Sequence, residues 1–485
     1  MKKKSLSVFL CLTAILTIIA GCKQQEPVKN EVNKEKEQPK EVALTTEVLF
    51  KETDDLTKIA TQTYIWGYPL VSAANIRQNK TLSDPTVGRN GTPINSFGHA
   101  KQLADPSNRS GPGPNNDTMY SIAWIDLEDG PFVIETPDFG SRYYTFSINY
   151  SDSSADKSLG QRTHGGQMPP LFITGPDDEI PVPDGMEAVV SPTRYLLIAG
   201  RILVDGEKDL PKVHELQKQI KLRTFEDYKA GIDRQPLISN QRLLNEGINE
   251  GDEFAFLYQL GNVLKDWWVR DEEKALLDRF SAIGLTTVGF DPTVLSDKQK
   301  QEILHGLEQG KEFVNERSKN LGRNINGWTI NNLGPRFGDD YLLRAAVAKD
   351  QIYVAIPEEA VYPIGRVDVN GDPLTGEKSY RIVLDKNTTP PVKAFWSITL
   401  YNDQGFMVEN EIDRFSIGDR TEGLIIKEDG TIEIRIQKDK PSEEDVNWLP
   451  APEGIFYFMM RLYIPEQQVI EGKWVPAPIV PIESK

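Results

Sequence analysis

The apolar residues of this chain change period twice, and that change constrains the fold more than any short motif does. From Met119 to Val204 short apolar runs are separated by Gly, Pro, Asn and Asp: Met119 to Leu127, Phe132 to Glu135, Arg142 to Tyr150, Leu171 to Thr174 and Tyr195 to Val204. Such spacing predicts antiparallel strands. Then Phe256, Leu257, Leu260, Val263, Leu264 and Trp267 fall on one helical face, as do Leu276, Leu277 and Phe280, and later Ile303, Leu304, Leu307, Phe313 and Val314. Ser296 is placed to cap the last of these helices. Beyond Asn331 the two-residue period returns, most plainly at Ile432, Ile434 and Ile436; Phe395 to Tyr401 and Ile455 to Ile464 read as strands buried on both faces.

The expected fold is therefore mainly β with a helical insert: two antiparallel β-sandwich, jelly-roll-like domains flanking a helical segment. The boundaries fall at 46–208 for a helix plus the first sandwich, 209–324 for the mainly helical segment and 325–485 for the second sandwich. The first helix, from Val48 to about Arg77, is expected to kink at Gly67 and Pro69.

The N-terminus carries an address. Lys2, Lys3 and Lys4 precede an apolar run from Leu6 to Ile19 that is too short for a comfortable membrane span, and Ile19-Ala20-Gly21-Cys22 closes it. This run resembles a bacterial lipobox, which implies a signal peptide over 1–21 and acylation of Cys22. The expected location is the cell envelope, with the membrane as partner through the lipid on Cys22. Lys23 permits the outer membrane where the host has two. Residues 22–45 are so poor in apolar side chains that they read as a disordered tether.

Since Cys11 lies in the signal and Cys22 would be acylated, the mature chain keeps no thiol for catalysis, metal binding or disulfides. Loss of Lys2, Lys3 and Lys4 takes the formal charge from −17 to −20, and no basic block interleaved with aromatics occurs, so nucleic acid is not an expected partner. G-x-S-x-G, H-E-x-x-H, Walker and G-x-G-x-x-G motifs are all missing. His99, His164, His214 and His305 are scattered, so no metal site is expected; which cofactor, if any, the chain uses is unknown from its sequence. Asp368-Val369-Asn370-Gly371-Asp372 lacks the remaining ligands of a calcium loop and reads as a turn.

The densest polar run is Gly111 to Tyr120. A Pro/Gly loop that delivers Asn, Asp and Thr to the head of a strand can present them to a ligand, or can cap its own turn. Asn115, Asp117, Thr118, Tyr120, Trp124 and Arg142 are the candidate ligand-binding residues. For an enzyme, Asp117 and Asp126 are the candidate acid and base or ligands of an oxygen-bound cation, with Arg142 stabilising an anion.

The chain also resembles two bacterial domains of unknown function, numbered 1254 and 1214, that occur in tandem. The first resemblance rests on Tyr64, Gly67, Pro69, Pro114 to Ser121, Trp124, Asp126-Leu127, Gly130-Pro131 and Arg142-Tyr143-Tyr144. The second rests on Asn326-Gly327-Trp328, Arg344 to Ala348, Asp368, Gly371, Leu374, Gly376, Tyr380, Pro390-Pro391 and Phe395-Trp396-Ser397. It implies two β-sandwich domains with helices between them, in proteins that commonly form homo-oligomers, and implies no reaction. The expectation is a lipid-anchored envelope protein that binds a small polar or carbohydrate-like ligand; the alternatives are an envelope hydrolase and a structural assembly subunit.

Overall fold

The computed structural model describes residues 45–83, 91–109, 111–234, 241–443 and 445–483. Cys22, the lipobox and the tether lie outside the described residues. The chain is mainly β, with several antiparallel sheets and helices in the middle of the sequence.

The N-terminal β unit is two facing sheets. Thr118–Asp126, Tyr195–Leu203 and Tyr144–Tyr150 form the centre of a five-stranded antiparallel sheet, with Ser96–His99 and Lys157–Gly160 at its edges. Glu187–Val190, Leu171–Thr174, Phe132–Glu135 and Lys221–Thr224 form the other. Successive side chains on a strand point to opposite faces. Met119, Ala123 and Ile125 therefore enter the core with Phe146, Ile198, Phe132 and Ile173, while Tyr120, Ile122 and Trp124 face away from it. Lys221–Thr224 pairs with Phe132–Glu135, so this unit runs past the expected boundary at 208.

The C-terminal unit repeats the plan. A seven-stranded sheet centred on Val392–Asn402 and Phe456–Pro465 faces a four-stranded sheet built around Ser379–Leu384 and Ile432–Gln437. Ile432, Ile434 and Ile436 are buried together against Trp396, Ile398, Phe458 and Met460. In the Asp368 turn, Oδ1 accepts from the backbone N–H of Asn370 and of Asp372, and Gly371 takes the positive φ of 88° that a residue with Cβ would resist.

The helices form a layer of their own. Leu56–Thr81, Ala255–Leu264, Lys274–Phe280 and Asp297–Lys319 share a core of Trp66, Leu70, Leu257, Phe280, Ile303 and Leu307. Ser296 caps the last, accepting from Gln299 N–H, whose side chain reaches back. The first helix holds Pro69 inside it and is preceded by a separate short helix, Thr46–Leu49, because Asp55 caps a new start. Gly306 and Gly310 let two helices touch: a Cβ on Gly306 would lie 2.1 Å from Thr57 O.

A further helix, Tyr341–Asp350, belongs to this layer although the sequence reading assigned 325–485 to a sandwich. Leu342 to Ala348 are all buried, so the segment has no polar face and no helical period to read. Asp340 starts it by accepting from Leu343 N–H.

Candidate functional site

The Gly111 to Tyr120 run crosses from one β unit to the other. Asn115 Oδ1 accepts from Asp117 N–H at 2.7 Å, an Asx turn that shapes the loop. Its Nδ2 donates to Thr118 Oγ1 at 3.1 Å and to Tyr463 Oη at 2.8 Å. Asp117 Oδ2 accepts from Ser397 Oγ at 2.7 Å and from Tyr463 Oη at 3.4 Å. Tyr401 Oη donates to Pro114 O at 2.6 Å, and Arg461 Nη2 to Gly113 O at 2.9 Å. Gly113, at φ 67°, donates its own N–H to Gly405 O. The loop is thus clasped by the C-terminal unit, and Asp117 is sealed at 6% exposure.

Above the clasp lies a cleft of about 640 Å³. Its walls come from both β units, from Leu56–Thr81 and from the end of Tyr341–Asp350. Asn115, Tyr120 and Arg201 contribute from the N-terminal unit; Tyr362, Arg366, Tyr457, Met459 and Arg461 contribute from the C-terminal one; Tyr353 follows the helix. A second cavity of about 330 Å³ shares Gly111 to Gly113, Asn115 and Tyr120 and adds Thr118.

Arg201 is the central cation. It is 9% exposed, its Nε donates to Tyr120 Oη at 3.2 Å and its Nη1 to Ser147 Oγ at 3.2 Å. Burial opposes its charge, yet the phenol oxygens of Tyr120 and Tyr362 hold its pKa well above the ordinary guanidinium value. Burial would raise the Tyr120 phenol; Arg201 and then Arg461 outweigh it, and the phenol sits below its ordinary value. The reverse holds at Tyr463, pushed well above the usual range by burial and then by the charge on Asp117, so it remains a donor.

Of the residues read from sequence, Asn115 and Tyr120 line the larger cleft, Thr118 lines the smaller, and Asp117 stands one layer behind. Trp124 and Arg142 do not join them. Trp124 is buried among Ile94, Tyr195 and Leu197, behind the cleft, and meets the ring of the cleft-lining Tyr353 edge-on at 5.9 Å. Arg142 forks onto Asp209 and Leu203 O outside the cleft.

The proposed acid and base do not form a pair. Asp126 is fully buried and held by Arg194, at 2.7 Å from Nε and 2.9 Å from Nη2. It ends the strand that Asp117 precedes, and at about 3.3 Å per residue the two carboxylates are roughly 30 Å apart. Among the described residues no group of His, Cys, Asp and Glu is arranged to hold a metal ion.

Sequence reading missed Arg201, Arg461, Tyr353 and Tyr362. The signal was present for the arginines: Arg201 interrupts Tyr195–Leu203 and Arg461 interrupts Phe456–Pro465, both otherwise apolar strands. A charge in such a strand needs a partner or a cavity.

Comparison with known proteins agrees with this division. Residues 94–224 match the sequence model of a family described as a protein of unknown function, DUF1254, and residues 359–467 match that of DUF1214, so the chain carries these two domains in tandem. No curated protein matches. Among solved structures, the VPA0106 protein from Vibrio parahaemolyticus is similar at 23% identity and a TM-score of 0.68, over 88% of this chain and 100% of that one. A putative uncharacterized protein from Burkholderia cenocepacia is similar at 12% identity and a TM-score of 0.41, over 90% of this chain and 92% of that one. The first likeness shows a shared fold.

Proposed function

We propose that this chain is a lipid-anchored envelope protein that binds a small polar ligand in the cleft between its two β units. The supporting observation is the lining itself: the rings of Tyr120, Tyr353, Tyr362 and Tyr457 stand beside Asn115, Arg201 and Arg461 around about 640 Å³. Aromatic faces next to a few convergent hydrogen-bonding groups, in a cavity of this size, are how small polar molecules and sugars are held. The clasp beneath serves that end. By fixing Gly113, Pro114 and Asn115 to Arg461, Tyr401 and Tyr463, it sets the cleft walls before any ligand arrives, so less ordering entropy opposes binding.

The lipid on Cys22 would keep the cleft near a membrane surface, where the ligand is met. No helix among the described residues is long and apolar enough to cross a membrane. The test is thermal-shift screening with neutral hexoses and their acidic, phosphorylated and sulfated derivatives, run beside Met459→Trp. Met459 lines the cleft and is half-buried, so an indole there fills space without opening a void. A stabilising ligand whose effect disappears in Met459→Trp is the expected result. If no compound stabilises the wild type, or the effect survives the substitution, the cleft is not the binding site.

A further inference from the structure

We infer that the ligand is an acidic sugar whose carboxylate is received by Arg201 and Arg461; this rests on the cleft reading above and names its substrate class. Among the described residues that line the cleft, five are cations, Lys80, Arg201, Lys349, Arg366 and Arg461, and one is a carboxylate, Asp350. In a chain of formal charge −17 that is a local inversion of sign. A cleft of one sign with low-dielectric walls focuses the field and draws in anions.

Arg201 and Arg461 are hydrogen-bonded to neutral groups and, among the described residues, lack a carboxylate partner. None of Arg201, Arg366 and Arg461 has a carboxylate within ion-pairing distance among the described residues, unlike Arg142, Arg194 and Arg344, each of which does. Asp117 acts on Arg461 from behind, and Asp350 lies at the exposed rim. Arg201 and Arg461 are nevertheless 9% and 2% exposed. Burying a guanidinium without an anion is costly, and the cost is relieved when a ligand supplies one.

The donors left on the two arginines fit a carboxylate. Arg201 already spends Nε on Tyr120 and a hydrogen of Nη1 on Ser147. Arg461 spends Nη1 on Thr399 and Nη2 on Gly113 and Tyr401. Of five N–H donors each, Arg201 keeps three, both of Nη2 among them, and Arg461 keeps two, Nε–H among them, which is enough to receive both oxygens of a carboxylate; a phosphate, with three terminal oxygens and close to two charges, is the competing anion. The tyrosine rings provide the surface on which a sugar ring lies.

Titration calorimetry with D-glucuronate and D-galacturonate, each beside its neutral hexose, tests this in the intact folded protein. The uronate is expected to bind about tenfold more tightly or better, the worth of one charge-assisted contact. Arg201→Met should erase the preference. Arg366→Ala, on the exposed rim where folding is not at risk, should weaken the uronate about threefold in a salt-dependent way. Equal binding of hexose and uronate overturns the acidic-sugar inference while the cleft reading stands. Preference for a hexose phosphate or sulfate over the uronate overturns the carboxylate assignment. If no member of the series binds, both readings fall.

Discussion

Asp117 accepts a 2.7 Å hydrogen bond from Ser397, 280 residues further along the chain, so a carboxylate at the head of one β unit is a tie to the other. Its other partner, Tyr463, is itself fixed by Asn115. Asp117→Ala is therefore expected to act on stability before it acts on binding. Ser397 Oγ and Tyr463 Oη would lose their acceptor inside the interface, at a cost of about 1–3 kcal/mol. Asp117→Asn, which keeps one acceptor oxygen, should cost less. Urea denaturation of the three proteins checks this; a wild-type midpoint for Asp117→Ala would remove the clasp as a stabilising feature.

The contact between the helices Leu56–Thr81 and Asp297–Lys319 gives a prediction whose sign opposes helix propensity. In a free helix Gly→Ala gains up to about 1 kcal/mol. At Gly306 the added Cβ would stand 2.1 Å from Thr57 O and 2.7 Å from Ala60 Cβ; at Gly310 it would stand 2.7 Å from Tyr64 Cβ. Backbone and Cβ atoms cannot turn aside as a flexible side chain can. Gly306→Ala should therefore destabilise, by about 1–3 kcal/mol in the range of overpacked cores. A melting temperature at or above wild type would mean the helices can separate without loss.

What the sequence revealed and what it hid follow from one distinction. A strand between two packed sheets announces itself by period, and Ile432, Ile434 and Ile436 do so because one face is buried and the other is not. The helix Tyr341–Asp350 gives no such contrast, being buried on every side from Leu342 to Ala348. The polar loop was legible for the same kind of local reason, since Pro and Gly fix its backbone. Its partners were not: which carboxylate meets which hydroxyl depends on Ser397, Tyr401 and Tyr463, brought in by long-range topology. Trp124 and Arg142 were grouped with the loop by proximity in sequence, whereas strand geometry sends one into packing and the other to Asp209.

Asp152 joins the N-terminal unit to the helical layer, accepting from Arg344 and Arg270 at 3.2 Å each. Burial would raise its pKa, but the two guanidiniums outweigh burial and hold it below the ordinary carboxylate value. A carboxylate with a depressed folded pKa contributes stability that is complete above the unfolded value of about 3.9 and is lost as pH falls through the folded one. Wild type should thus lose stability below about pH 4. Asp152→Asn, leaving Arg344 buried without its anion, should lose about 3–5 kcal/mol near neutrality. It should also show a shallower acid slope in denaturant titrations from pH 6 to 3. An unchanged slope would place the acid sensitivity elsewhere.

Membrane attachment has its own test, independent of the cleft. Cys22→Ala removes the thiol that the lipobox resemblance assigns to acylation, and the protein should move from the membrane to the soluble fraction and lose label from a fatty-acid precursor. Ligand affinity should not change, because the described residues that line the cleft all lie beyond 70. Membrane fractionation identical to wild type would end the lipoprotein reading.

The Tyr120 phenol gives the cleft a pH response whose direction is fixed by its neighbours. Burial resists ionisation, but Arg201 and Arg461 prevail, and the phenol titrates below the ordinary tyrosine value of about 10. While neutral, it leaves the Arg201 charge free for a ligand carboxylate. Once ionised, its oxygen, 3.2 Å from Arg201 Nε, becomes an internal anion that competes for the same guanidinium. By linkage, uronate binding must in turn raise the Tyr120 pKa. The uronate carboxylate is ionised throughout this range, so its affinity should be level near pH 7 and fall as pH rises through the Tyr120 value. Tyr120→Phe should bind at neutral pH yet show no such alkaline fall. Calorimetric titrations from pH 7 to about 10 decide it: a level wild-type profile, or a Phe variant with the same decline, would place the titrating group away from Arg201.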